Sequence, residues 1–194
     1  MSLAQSYQIG VHAFNGAPEM ASFLAYLKED YHIQTAIETG TYLGGTTDCL
    51  GHLFEIVNTL EVVGTSFDAS VERFTNRPNI HCHFGSSGNR LAEISAPYSH
   101  EPVLFYLDAH WHDDWPLLDE LDQIYTTHRN NCVIVIDDCK VPSRPDIGYD
   151  SYAGNALSLE YVQQHLDKIF DNYAVFYLIP VNLNAKAKLV AMPI

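Results

Sequence analysis

One stretch constrains this chain more than any other: TAIETGTYLGGTT, residues 35–47. Its first residues are apolar or β-branched and read as a short buried strand over 35–38. The strand breaks at Gly40, passes through a turn that carries Gly40 and Gly44, and opens a helix near Gly45. Glycine removes the Cβ where a backbone turns tightly or lies against another group. A strand that ends in such a turn and feeds a helix N-terminus belongs to an α/β sheet, and such sheets take their ligands at that edge. The order Glu38–x–Gly40–x–x–x–Gly44 is not the G-x-G-x-x-G of dinucleotide folds, and it lacks the lysine of a phosphate-binding loop. Glu38, at the strand tip, would repel a pyrophosphate and suit a cationic ligand. Thr41, Thr46 and Thr47 bring hydroxyls to the same edge.

The rest of the chain repeats the unit. Met20, Phe23, Leu24 and Leu27 fall at helical spacing, so residues 18–31 read as an amphipathic helix begun by Pro18. Helices are predicted over 45–54 and 68–76, the latter capped by Ser66 or Asp68, then from Leu91 onward, from Pro116, and over 156–170. Asp113 or Asp114 would cap the helix at Pro116. Strands are predicted over 56–63, 79–84, 103–107 and 132–136, with a terminal hairpin over 174–179 and 186–192. The run VLFYL at 103–107 is apolar on both faces, as a central parallel strand is. Helix and strand alternate five times before the final helix and hairpin. That order predicts one α/β domain over residues 1–194: a doubly wound, Rossmann-like sheet of seven strands, mostly parallel, with the last antiparallel.

In an open parallel sheet the ligand lies outside the carboxyl ends of the strands. Those ends carry Glu38, Glu61, Ser86 with Ser87, Asp108 with His110 and His112, and then Asp137 with Asp138. Glu61 follows Gly40 by 21 residues. An acid about 20 residues past a glycine turn takes ribose hydroxyls in nucleotide-binding α/β folds, and a plain surface glutamate is the alternative. Asp108, Asp137 and Asp138 would stand on neighbouring tips about 4.8 Å apart. They would raise one another's pKa values unless a hard cation sat between them; otherwise one caps a helix and another pairs with Lys140 or Arg144. His110 suits a general base, because an imidazole changes charge near neutral pH, or a cofactor contact or, with His112, a metal ligand. Trp111 and Trp115 line a pocket or pack in the core. The 17-residue loop 139–155, with Tyr149 and Tyr152, has the length of a lid or binding loop.

The glycine turn resembles the first motif of the class I S-adenosylmethionine (SAM) methyltransferases, and the alternation resembles their fold over nearly the full length. LDAH…IDD, residues 107–110 and 136–138, resembles the metal-dependent small O-methyltransferases, nearest to the macrocin type. The resemblance implies that Glu38, Gly40, Thr41, Gly44, Thr46, Thr47 and Glu61 hold SAM, with Asp108 bordering it. In that family the turn after the third strand contacts adenine, often through an aspartate. Ser86 stands at that place here, so the contact would pass to Ser86 or Ser87. The resemblance also implies Mg²⁺ on Asp108, Asp137 and Asp138; His110, at the mouth two residues past Asp108, is expected to form the catalytic pair with Asp108. The activity it implies is methyl transfer to a hydroxyl of a small molecule, a sugar moiety or secondary metabolite. A SAM-binding module without transfer chemistry, and an iron-dependent hydroxylase using His110 and His112, are the alternatives.

Composition narrows the partners. Twenty-four acidic against ten basic residues give a net charge of -14, which argues against nucleic acid and anionic membrane. No apolar run approaches the ~20 residues of a membrane span. The first residues, MSLAQSYQIG, carry no basic and apolar leader pattern, so a cytoplasmic protein is expected. Cys49, Cys82, Cys132 and Cys139 have no C-x-x-C spacing and read as free thiols. A homodimer would complete the lid that a short N-terminus leaves uncovered.

Overall fold

A computed structural model describes residues 13–110, 115–182 and 184–194. After a 3₁₀ turn at Ala13–Gly16 come α1 (Met20–Asp30), β1 (Thr35–Thr39), α2 (Gly45–Leu53), β2 (Ile56–Glu61), α3 (Gly64–Arg73), β3 (Ile80–Phe84) and α4 (Ser87–Ser95). They are followed by β4 (Val103–Leu107), α5 (Leu117–His128), β5 (Cys132–Cys139), a small hairpin of β6 (Ser151–Tyr152) and β7 (Asn155–Ala156), α6 (Leu159–Ile169), β8 (Tyr173–Leu178) and β9 (Ala187–Pro193). The seven-stranded sheet runs β3-β2-β1-β4-β5-β9-β8. β1 to β5 pair parallel, and β9 is antiparallel to both β5 and β8. The predicted doubly wound sheet is therefore the observed one.

Alternation along the strands builds the two layers. Phe105 and Leu107 of β4 point to the face covered by α4, α5 and α6, where Leu91, Leu121 and Leu166 are buried. Leu104 and Tyr106 point to the other face, against Leu24 and Leu27 of α1 and Leu50 of α2. Each fully buried Leu or Ile contributes about 1.5–3 kcal/mol through removal from water. All four cysteines are free thiols, as expected.

Several boundaries differ from the sequence reading; α4, for example, begins at Ser87 rather than Leu91, and β2 ends at Glu61 rather than at residue 63. Helix α3 begins at Gly64, not near Asp68, because Glu61 accepts the Val63 N–H and turns the chain at once. Strand β5 continues to Cys139 through a register shift between Ile136 and Cys139, with Asp138 in the left-handed region (φ 59°). Ala156, expected to open the last helix, instead lies with Asn155 in β7, and the helix starts at Leu159. The proposed caps Asp113 and Asp114, and Trp111 and His112, lie outside the described residues. No described helix is long and apolar enough to cross a membrane.

Candidate functional site

A cavity of 590 Å³ opens at the carboxyl ends of the strands. One wall is the turn after β1. Gly40 has φ +85°, and a Cβ there would stand 2.6 Å from the Asp108 carbonyl oxygen, so this position admits glycine alone. Gly40 and Tyr42 line the cavity. Gly44 instead faces Phe74, whose ring would lie 2.8 Å from an added Cβ.

The threonine hydroxyls and Glu38 behave differently from the sequence expectation. Thr47 and Thr59 both donate to Glu38 Oε2, Thr41 shares a 2.6 Å hydrogen bond with Thr59, and Thr46 Oγ1 accepts the Phe14 N–H. None of Glu38, Thr41, Gly44, Thr46 and Thr47 is on the cavity wall. They hold the turn from beneath: Thr41 and Glu38 bond Thr59 of β2, Thr47 bonds Glu38, and Thr46 ties the turn to Phe14. Burial pushes the Glu38 carboxyl up to about 7, against the pull of the two hydroxyls.

Glu61, Ser86 and Ser87 do line the cavity. Glu61 accepts the Tyr42 N–H at 2.7 Å and the Val63 N–H at 2.8 Å, so one carboxylate ties the glycine turn to the end of β2. Ser86 is the N-cap residue of α4 and Ser87 its first residue, placing an open helix N-terminus on the wall.

The far end is acidic. Asp108, His110, Asp138, Asp150 and Lys186 line it, with Asn15 from the N-terminal 3₁₀ turn. Asn15 Nδ2 donates to Asp108 Oδ2 at 3.0 Å and to Asp137 Oδ2 at 3.2 Å. Burial and the neighbouring Asp137 and Asp138 hold the Asp108 carboxyl well above the usual range. Asp138 is pushed up to about 7 by burial and by Asp137, against Lys186, whose Nζ lies 2.9 Å from it. Lys186 also pairs with Asp150. Asp137 is set apart: it is 2% exposed, its Oδ1 is 2.6 Å from Lys188 Nζ, and it accepts from Tyr106 Oη. Asp108, His110 and Asp138 each offer a ligand atom, all within 4.8 Å of one another. The three acids read from the sequence thus come together, but Asp137 faces the protein and His110 takes its place at the cavity. The lysines that neutralise the acids are Lys186 and Lys188, not Lys140 or Arg144.

Beneath this end lies Glu120 of α5, fully buried, both oxygens without a hydrogen-bond partner among the described residues. Burial lifts it to about 7; the hydroxyls of Ser87 and Thr39 pull the other way without closing hydrogen bonds. The aromatics form a side wall. Trp115 stacks on Tyr161 at 4.5 Å between centroids, and Tyr152 lies 4.9 Å from Trp115 and 5.4 Å from His110. Sequence reasoning missed Asn15, Lys186, Lys188 and Glu120. The Asn15–Gly16 pair was a turn signal, and Asn tolerates the left-handed φ of 53° seen here.

The sheet order, the single antiparallel strand and a cavity over the ends of the five parallel strands β1 to β5 together define the class I methyltransferase fold. Among solved structures, this fold is shared with an O-methyltransferase from Bacillus cereus in complex with S-adenosylhomocysteine (SAH), at TM-score 0.65 and 17% identity over 97% of this chain and 89% of that one. TomG, an O-methyltransferase of Streptomyces achromogenes involved in tomaymycin synthesis and solved with SAM, gives TM-score 0.65 at 15% identity over 90% and 79%. The SAH-bound methyltransferase PaMTH1 of Podospora anserina gives 0.56 at 19% over 89% and 77%. No protein-family model and no curated protein sequence matches the chain.

Proposed function

We propose that this protein belongs to the SAM-dependent O-methyltransferases and moves the methyl group of SAM to a hydroxyl of a small molecule. The observation that carries the reading is the single cavity whose walls include both the Gly40–Glu61–Ser86 face and the Asp108–His110–Asp138 face. Its volume of 590 Å³ falls in the ~300–1,000 Å³ range of small-molecule sites. The first face suits an adenosyl ligand: Glu61 accepts from ribose hydroxyls, and the start of α4 offers Ser86 and Ser87 to the base. The acidic end suits the sulfonium charge of SAM and a divalent cation.

The reaction is one in-line displacement. An acceptor oxygen bonds to the methyl carbon, the carbon–sulfur bond breaks, and SAH leaves as a neutral thioether. The chain aligns donor and acceptor and keeps them in one walled space. Proton removal falls to the groups on the same wall, His110 and Asp108. The ligand-atom spacing of Asp108, His110 and Asp138 fits one shared ion, and a bound cation would make the acceptor hydroxyl more acidic and fix its orientation. Tyr152 and Trp115 give the acceptor side an aromatic surface. A small hydroxylated acceptor and a cytoplasmic site of action fit the acidic chain.

The test is transfer of labelled methyl from SAM to a panel of sugar and phenolic hydroxyls, run with Mg²⁺ or Mn²⁺ and again in EDTA. Transfer that needs the cation supports the reading. Equal transfer in EDTA removes the cation from it. SAM binding without transfer to any acceptor leaves a binding module.

A further inference from the structure

The acidic end has one fewer free carboxylate than its sequence suggests. Asp137 Oδ1 meets Lys188 Nζ at 2.6 Å and accepts the Asp138 N–H at 2.7 Å. Its Oδ2 accepts from Tyr106 Oη and Asn15 Nδ2. Four partners fill the lone-pair positions of one carboxylate. Lys188 is 1% exposed, so a cation that drew Asp137 away would strand a buried ammonium.

The imidazole of His110 stands where a third ligand is needed. Its ring nitrogen and the Asp108 and Asp138 oxygens lie within 4.8 Å of one another. A second observation points to a ligand here. Glu120, fully buried and with both oxygens unpartnered among the described residues, faces a small cavity that Asp108, His110, Asp137 and Asp138 also line; of these Asp137 alone has all its lone pairs taken by protein partners. Lys186, the present partner of Asp138, has Asp150 as an alternative and is one-third exposed. It can yield Asp138 to an ion without losing its own pairing.

We propose that Lys188 withholds Asp137 and that Asp108, His110 and Asp138 form a carboxylate–imidazole–carboxylate site for a first-row transition-metal dication. The proposal rests on the reading of a cation beside the methyl donor and changes its ligand set and its metal. Magnesium is served by oxygen ligands, whereas an imidazole raises affinity along the series from manganese to zinc. His110 is then a cation ligand, and the acceptor's proton leaves through the carboxylates and the open mouth.

The experiment is pulsed electron paramagnetic resonance of the whole protein with bound Mn²⁺. The expected result is nitrogen modulation from a directly coordinated imidazole, lost in His110→Ala while weaker Mn²⁺ binding survives. Asp108→Asn should cut Mn²⁺ affinity at least about tenfold, and Mg²⁺ in roughly hundredfold excess should not displace half the Mn²⁺. Because His110 is exposed on the surface of the cavity, its alanine variant is expected to fold. Bound Mn²⁺ without nitrogen coupling, coupling that persists in His110→Ala, or displacement by equal Mg²⁺ would overturn the proposal and leave an oxygen-only site. No Mn²⁺ binding overturns both this proposal and the cation part of the functional reading, while the EDTA assay still decides methyl transfer.

Discussion

Glu38 and Glu120 place two carboxyl groups inside the fold, each shifted from 4.5 to about 7 with burial as the leading cause. A raised acid pKa means the folded state binds more protons than the unfolded state between those values, so stability falls as pH rises through that window. The penalty is absent below about 4.5 and fully developed above about 7, on the order of 3 kcal/mol per group. Glu120→Gln removes the charge and should stabilise the protein at pH 8 by about 1–3 kcal/mol, with little difference at pH 5. Urea unfolding at both pH values checks this, and equal midpoints of variant and wild type at pH 8 would refute it. Gly40→Ala puts a Cβ 2.6 Å from the Asp108 carbonyl in a φ of +85°. It should cost about 1–3 kcal/mol in strain and weaken any ligand on that wall, read by thermal melts and ligand titration. At this scale the sequence showed which residues reach the strand tips but not where they point. Glu61, Ser86, Asp108, His110 and Asp138 reach the cavity. The three threonines and Glu38 turn inward because hydrogen bonds satisfy them there: Thr41 and Glu38 with Thr59 of β2, Thr47 with Glu38, and Thr46 with the Phe14 N–H. Lys188 was invisible as a partner of Asp137, since the pairing depends on β9 lying beside β5.

The elements themselves were largely legible, because the central strands are short apolar runs and most helices have a buried stripe; β3, IHCHF, and α3, with Ser70 alone buried, are exceptions. What escaped were features without periodicity. The β6–β7 hairpin has two residues per strand, and the shift in β5 follows from local geometry at Asp138, not from residue type. The loop 139–155 is anchored more firmly than a free lid. Asp150 N–H donates to the Asp138 carbonyl, Leu157 N–H to the Asp150 carbonyl, and Ile147 is buried. Residues 150–157 should therefore resist hydrogen exchange in the free protein. Residues 141–149 other than buried Ile147, which include exposed Tyr149, should exchange fast and slow down when acceptor and SAH are both bound. Uniform slow exchange across the loop, unchanged by ligands, would contradict a moving acceptor side.

At the scale of the molecule, the order of the strands creates the site. β1 and β4 lie side by side at the centre, so the glycine turn and Asp108 meet, and the β8–β9 connection brings Asn184, Ala185 and Lys186 over the acidic end. The sequence foretold the sheet and the direction of its ends. It did not foretell how the N-terminal turn and the last connection close the cavity, since both act through contacts distant along the chain. The central claim is that this cavity holds the adenosyl donor, and calorimetric titration of SAH into the wild type and Glu61→Ala tests it most directly. The account predicts a single saturable site in the wild type and affinity weakened by about 1–3 kcal/mol in the variant, the value of a charged hydrogen bond. No heat of binding from SAH or SAM to the wild type, or equal affinity in Glu61→Ala, would contradict it.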